Sequence, residues 1–435
     1  MKQPISIFWF RRDLRIEDNA GLFHALKSEY PTLPIFIFDT EILSKLPSKQ
    51  DRRVDFIHQA ILRIDSQLSK SDSGVEVHIG KPSEIFKSLF EKYEIKEIFT
   101  NKDYEKYGIK RDEEIAEFAK IHGAKFHSFK DQTIFEKNEI LSGAGTPYTV
   151  FTPYSRKWKE KLNDFYVKAY PTEKYFKNLL CFKSEIPSLE RVGFEKTDLI
   201  FDKPDYNLKI IENYTEKRDF PAINGTTKLS IHLRFGTLSI REAVKVAMQH
   251  NDTWLNELIW RDFYMNILAN FPQIGENRSF RPEYDNIKWR NNEAEFEKWC
   301  SGNTGFPIVD AGMRELNETG FMHNRVRMIV ASFLCKDLLI DWRWGEAYFA
   351  QKLNDYDFSA NNGGWQWASG SGCDAAPYFR VFNPDAQALK FDKELKYIKK
   401  WIPELNSFSY PKPMLDHKMA RERALKVYKE GLAKI

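Results

Sequence analysis

Cysteine is scarce: four residues in 435 (Cys181, Cys300, Cys335, Cys373), far apart and without a CxxC pair. That argues against a disulfide scaffold or a thiolate zinc site and fits idle or buried thiols, so a cytoplasmic protein is expected. No apolar run approaches the roughly 20 residues needed to span a bilayer, so no membrane partner is expected. The start, "MKQPISIFWFRRDLR", has a short apolar run followed by arginines and is not a secretory signal. No HExxH and no His–Cys–Cys spacing occurs among the nine histidines, so no metal is expected. No GxGxxG follows the first apolar run, so the usual dinucleotide fingerprint is missing. Internal repeats and low-complexity segments are absent. Charge of one sign is also wanting: +4 net permits a local basic face but does not demand one.

Aromatic residues are what the chain does have. They make up 15% of it, and nine of the eleven tryptophans fall in 251–435. The length exceeds one ordinary core, so two or three domains are expected. Apolar runs at 5–10, 33–38, 75–79, 95–99 and 124–129 alternate with amphipathic stretches near 19–29, 51–69, 82–92 and 108–122. This alternation predicts a Rossmann-like, doubly wound parallel sheet in an α/β domain, 1–130. Residues 131–199, with scattered aromatics, prolines and the basic run "SRKWKEKL", read as a connector; the basic run reads as a solvated helix face. From 200 to 435 the apolar period is 3.6 and strand signals vanish, which predicts an all-α domain.

Within the helical half, "TWLNELIWRDFYMNIL" sets Glu257, Trp260, Arg261 and Tyr264 on one helix face, with Leu255, Leu258, Ile259 and Ile267 elsewhere. An acid, an indole, a guanidinium and a phenol make an odd core and a costly surface. A second stretch, "GFMHNRVRMIVASFL", spaces Asn324 and Met328 one turn apart, flanked by Arg325 and Arg327. Asp355 and Asp357 lack the ligand density of a calcium loop. Thr226, Thr227 and Ser230 offer hydroxyls just before a helical pattern, a setting suited to phosphate oxygens and equally to ordinary caps. "NNGGWQWASGSGCDAAPYFR" sets Trp365 and Trp367 among small residues. Indoles and amides without an activated nucleophile suggest that a cofactor performs the chemistry.

"FWFRRDLRIEDN", "TKLSIHLRFGTLS", "NELIWRDFY", "TGFPIVDAGMRELNETGFMHNRVRMIVASFL", "DWRWGEAYF" and "DFSANNGGWQWASGSGCDAAPYFRVFNP" together resemble the photolyase/cryptochrome family over essentially the whole chain. They are most similar to its class I cyclobutane pyrimidine dimer photolyases. The resemblance implies a U-shaped, non-covalent FAD in the helical domain. It implies a light-driven carbon–carbon lyase that passes an electron from reduced FAD to a pyrimidine dimer flipped out of DNA. The expected partner is dimer-containing DNA, met by a monomer.

The same resemblance assigns residues. Tyr214, Thr226, Thr227, Leu229 and Ser230 match positions holding phosphate and ribitol, with Lys228 where an arginine often stands. Trp254, Glu257 and Arg261 match the flavin-facing helix. Asp355 and Asp357 match positions near the ribose and isoalloxazine, with Arg327 pairing Asp355 and Asn324 nearby. Asn361 matches the residue facing the flavin's central nitrogen, where plant cryptochromes tend to carry aspartate. Trp260 and Trp367 would flank the dimer, Glu257 would hydrogen-bond a thymine edge, and Asn324 and Met328 would complete the pocket. Trp365, Trp342 and Trp289 match an electron-hopping chain running outward. Arg218, Arg325 and Arg380 are candidates for DNA contact.

A folate or deazaflavin antenna is implied for many relatives, but Gly108 stands where the folate pattern has an acid. The alternative is a cryptochrome-type photoreceptor; only residues 406–435 follow "WIPEL", against the long tail of many signalling members. A six-four photolyase would have histidines at Asn324 and Met328, and a thermal flavin oxidoreductase would need a nicotinamide site that is not seen.

Overall fold

The computed structural model describes residues 2–433. The chain divides into two compact units. The first is built from Met1–Glu139, Lys159–Tyr206 and Lys228–Gln249, the second from Ile140–Trp158, Asn207–Thr227 and His250–Ile435.

In the first unit five strands, β1 (Pro4–Phe10), β2 (Thr32–Asp39), β3 (Glu76–Gly80), β4 (Glu94–Asn101) and β5 (Lys125–Phe129), form one sheet in the order β3-β2-β1-β4-β5. All four pairings are parallel. Each strand falls on one of the apolar runs; the central β1 and β2, covered on both faces, are apolar almost throughout, while the edge strands β3 and β5 carry polar residues and are only partly buried. The period of two then sorts the side chains. Ile5, Ile7, Trp9, Leu33, Ile35 and Ile37 join one core with Phe86 and Ile115. Phe8, Phe10, Phe36 and Phe38 face the other, with Leu22, Val54 and Ile61. Helices Ala20–Leu26, Arg52–Leu68, Pro82–Lys92 and Lys106–Ile121 supply those partners and connect the strands. The order reverses between β1 and β4, so a doubly wound sheet has its crevice at their carboxyl ends. Here that end holds the chain's own charges. The guanidinium carbons of Arg11 and Arg111 lie 5.0 and 4.9 Å from the Trp9 ring. The Tyr107 hydroxyl donates to Asp39 at 2.6 Å. Gly108 abuts the Asp103 carboxylate, which a Cβ would overlap.

The second unit is helical among the described residues. Its main core gathers Trp299, Val309, Met313, Leu316, Val326, Val330, Leu334, Trp342 and Trp365. A π-helical turn, Phe333–Asp337, interrupts it and carries Lys336 inward. There the Lys336 ammonium donates to Ser369 O at 2.9 Å and sits 3.7 Å from the Tyr428 ring. Burial holds its pKa down to about 7.

Candidate functional site

The Asp252–Asn270 helix starts where Asn251 accepts the Trp254 amide through its side chain. Leu255, Leu258, Ile259 and Ile267 are buried, while Glu257, Trp260, Arg261 and Tyr264 are only partly so. The face read from 3.6-residue spacing is therefore the half-open one. Trp254, one turn before Leu258, is buried.

Glu257 is ion-paired with Arg218, each side chain one-third exposed. The surrounding protein nonetheless lifts its carboxyl above the ordinary range, against the pull of Arg218. Arg218 also lies 5.8 Å from the ring of Tyr214, whose phenol is held neutral by burial. The next residue, Asp219, accepts from Arg325 at 2.8 Å. Two consecutive residues of this loop are thus tied to two different helices. Gly225 closes it against the Lys217 backbone, where a Cβ has no room. Thr226 and Thr227, both half-buried, end this stretch of the second unit. Lys228, Leu229 and Ser230 belong to the first unit, Lys228 with φ +55° and Ser230 opening the Ser230–Phe235 helix.

The Asn324–Ser332 helix is capped by His323, whose Nδ1 accepts the Arg325 amide at 3.2 Å. Nδ1 as acceptor leaves the proton on Nε2, on the side where the imidazole meets the Arg218 backbone. Burial pushes this imidazole down to about 4. Asn324 is exposed and Met328 half-buried. Arg325 passes 3.8 Å from the Met328 sulfur and lies 4.4 Å over the Phe391 ring, so it is engaged within the protein. Arg327 grips both oxygens of Asp355, at 3.2 and 2.9 Å, the pair expected from the sequence.

The Phe358–Ser369 helix is capped by Asp357, which accepts the Ser359 and Ala360 amides. One turn on, Asn361 is 8% exposed and donates to the Glu346 carbonyl at 3.1 Å. Beside it Asn362 donates to the Glu346 carboxylate at 3.2 Å, and Gln366 to Asn362 at 2.8 Å. Burial lifts the Glu346 carboxyl. Trp365 (2% exposed) and Trp342 (1%) share the main core, and half-buried Trp289 packs against it. The three indoles thus pass from interior to rim of one cluster. Trp299 is a neighbour that sequence spacing did not reveal, 6.1 Å from Trp365 and edge-on. Gly345 and Gly363 allow the close approach of Trp365 and Tyr264; a Cβ at either would overlap those rings. Trp367 is half-buried, with the exposed Arg380 guanidinium 5.9 Å from its ring and Phe382 at 6.4 Å.

Sequence reasoning missed Phe151 altogether. It stacks on Trp260 with centroids 3.7 Å apart and planes 3° from parallel. Asp374 accepts its backbone N–H at 3.1 Å. Neither contact has a local sequence signal, since the partners are far apart in the chain.

Comparison with known proteins supplies the class. Residues 254–409 match the FAD binding domain of DNA photolyase, and residues 6–174 match the DNA photolyase model. The chain is 35% identical, over 100% of its length and 98% of the relative's, to a deoxyribodipyrimidine photo-lyase of Synechococcus sp.. It is 33% identical to one of Escherichia coli, over 97% and 98%. A bacterial class III photolyase from Agrobacterium tumefaciens superposes with a TM-score of 0.88 at 32% identity, covering 100% of this chain and 99% of that one. An archaeal photolyase from Sulfolobus tokodaii, solved with two FAD molecules, gives 0.85 at 35%, over 98% and 99%.

The chain belongs to the photolyase/cryptochrome family. It carries the family's FAD-binding domain, and FAD is its cofactor. The side chains present fit that group. Around 324–361 the buried Arg325 Nε is left without a protein partner, and the Asn361 amide is oriented by a neighbouring backbone carbonyl.

Proposed function

We propose that the chain is a deoxyribodipyrimidine photo-lyase acting on cyclobutane pyrimidine dimers in DNA. When bound in reduced form, FAD would supply one electron under blue or near-UV light, which splits the two linking bonds of the dimer and is then returned. The protein's own task is to hold the lesion and exclude water. A damaged pair costs less to extrude than an intact one, because its stacking and pairing are already weakened.

Trp260 offers an indole face to an everted base, and Trp367 a second aromatic edge; base–aromatic stacking contributes about 1–3 kcal/mol per base. Glu257, with its carboxyl lifted by burial, can present a proton to a thymine carbonyl or accept from its N3–H. Asn324 and Met328 give the pocket an amide and a soft uncharged surface. Tyr214, Thr226, Thr227, Lys228, Leu229, Ser230, Trp254, Arg261, Arg327, Asp355 and Asp357 are assigned to the cofactor, and Asn361 to its central ring nitrogen. Trp365, Trp342 and Trp289 are assigned to its reduction. Arg380 is exposed and free to meet a phosphate, and Arg218 flanks the pocket through Glu257. Arg325, held by Asp219 and Phe391, would act on DNA only by shaping its own loop.

The observation that carries this reading is the half-open face of the Asp252–Asn270 helix, with a lifted carboxyl one turn from a backed indole. Its test pairs Glu257→Gln with wild type on thymine-dimer oligonucleotides, with reductant and blue light. The wild type is expected to restore thymines only in the light. Glu257→Gln is expected to lose about 10- to 100-fold in repair or affinity, in line with a hydrogen bond to a charged or polarised group of about 1.5–3 kcal/mol, while keeping its flavin spectrum. Reduced, flavin-loaded protein that binds dimers no better than intact DNA and restores none would favour the photoreceptor alternative.

A further inference from the structure

We infer that Phe151 is a positioning residue for lesion recognition, setting the indole plane of Trp260; the inference rests on the proposed lesion site and deepens it. The Phe151–Lys161 helix lies along the Asp252–Asn270 helix through one aromatic stripe. Phe151, Tyr154 and Trp158, at helical spacing, meet in turn Trp260 (3.7 Å between centroids), Phe263 (5.2 Å) and Asp262, which accepts the Trp158 indole N–H at 3.0 Å. Asn266 donates to the Tyr154 hydroxyl at 3.3 Å. Tyr154 and Trp158 are buried and anchor the helix. Phe151, at its first turn, is only half-buried and covers one face of Trp260.

The near-parallel planes matter. Tyr264 and Phe263 also neighbour Trp260, but tilted by 30° and 80°, both 5.5 Å away. Among the described residues only Phe151 lies flat on the ring, so it fixes the tilt of the opposite face. An indole free to rotate about its χ2 would lose that freedom on stacking a base; a pre-set ring does not. Asp374 adds a tether from the other side. Its carboxylate takes the N–H of the first helical residue, a favourable place for an anion. Asp374 itself sits at φ +46°, in the segment leading to Arg380. The lesion-facing loop and the backing ring are thereby joined.

The test measures dissociation constants for a thymine-dimer oligonucleotide and the repair rate at saturating DNA. Phe151→Leu removes the flat stack and keeps an apolar residue. It is expected to weaken dimer affinity about 3- to 10-fold, the worth of one aromatic pair. The rate at saturation and the flavin spectrum stay unchanged, and Phe151→Tyr restores affinity. Trp260→Ala runs alongside. Unchanged affinity in Phe151→Leu while Trp260→Ala binds poorly overturns the inference and leaves the lesion site standing. Unchanged affinity in both removes the stacking reading itself. A loss that Phe151→Tyr does not restore, or that comes with a lost flavin spectrum, also counts against the inference. If Phe151→Leu does not fold, Asp374→Ala takes its place, since it frees the helix start without touching a ring; affinity must again fall, and intact affinity contradicts the proposal.

Discussion

At the scale of single residues, burial decides chemistry. His323 shows this in its simplest form. Its imidazole caps a helix through Nδ1, sits among Asp219, Arg325 and Arg327, and is pushed down to about 4 chiefly by burial. The unfolded chain, with an ordinary histidine near 6.5, binds the extra proton between those two values. Stability from this residue is therefore complete above pH 6.5 and is lost as pH falls toward 4, by on the order of 3 kcal/mol. His232, in the first unit, is pushed down to about 4 by the same cause and adds a second, independent loss. His323→Asn keeps a side chain that can cap and removes the titration, so its melting temperature should fall less steeply between pH 6.5 and 4.5 than that of the wild type; an identical slope would show that His323 does not titrate there. Trp365 belongs to the same scale. Trp365→Phe preserves the packing of a buried ring but not its ease of oxidation. Photoreduction of oxidised FAD, followed by absorbance, should be lost, while repair by chemically reduced protein continues. Photoreduction at the wild-type rate would remove Trp365 from the electron route; Trp299, 6.1 Å away, would then be the next indole to replace.

Elements were legible to different degrees, for physical reasons. The five strands could be placed from the sequence because the central β1 and β2 of a two-faced parallel sheet are almost unbroken apolar runs and the others keep short apolar runs between helical stretches. The half-open stripe of Asp252–Asn270 could be read because 3.6-residue spacing is local information. What could not be read is how elements meet. The Asn362–Glu346–Gln366 network, the Phe151–Trp260 stack and the inward Lys336 each join positions whose neighbours give no hint of the partner. The stretch from 131 to 199 looked like a connector, yet 140–158 packs with the helical unit, because one stripe of Tyr154 and Trp158 is buried while the basic residues between them face out. Close approach was equally hidden. Gly345 sits where a Cβ would overlap Trp365, so at that point the Trp342–Lys352 and Phe358–Ser369 helices can approach closely only through glycine. Gly345→Ala must push them apart, at a cost of about 1–3 kcal/mol for an overpacked core. The expected result is a melting temperature lowered by several degrees together with slower photoreduction; an unshifted melting temperature would mean that the contact yields without strain.

For the whole molecule, the two units carry different work. The doubly wound sheet has the crevice where such folds bind ligands, but the ends of β1, β2 and β4 are taken up by the chain's own ion pairs around Trp9, Asp39 and Asp103. The helical unit holds the lifted carboxyl, the backed indole and the graded tryptophans. Light should therefore act through the flavin of that second unit. The most direct check is an action spectrum: thymine dimers split per incident photon, measured from the near-UV to the blue on reduced protein with dimer-containing DNA. The account predicts splitting that follows the absorption of bound, reduced FAD and stops in darkness. Splitting that ignores the flavin's absorption, or none at any wavelength with FAD reduced and DNA bound, would contradict it.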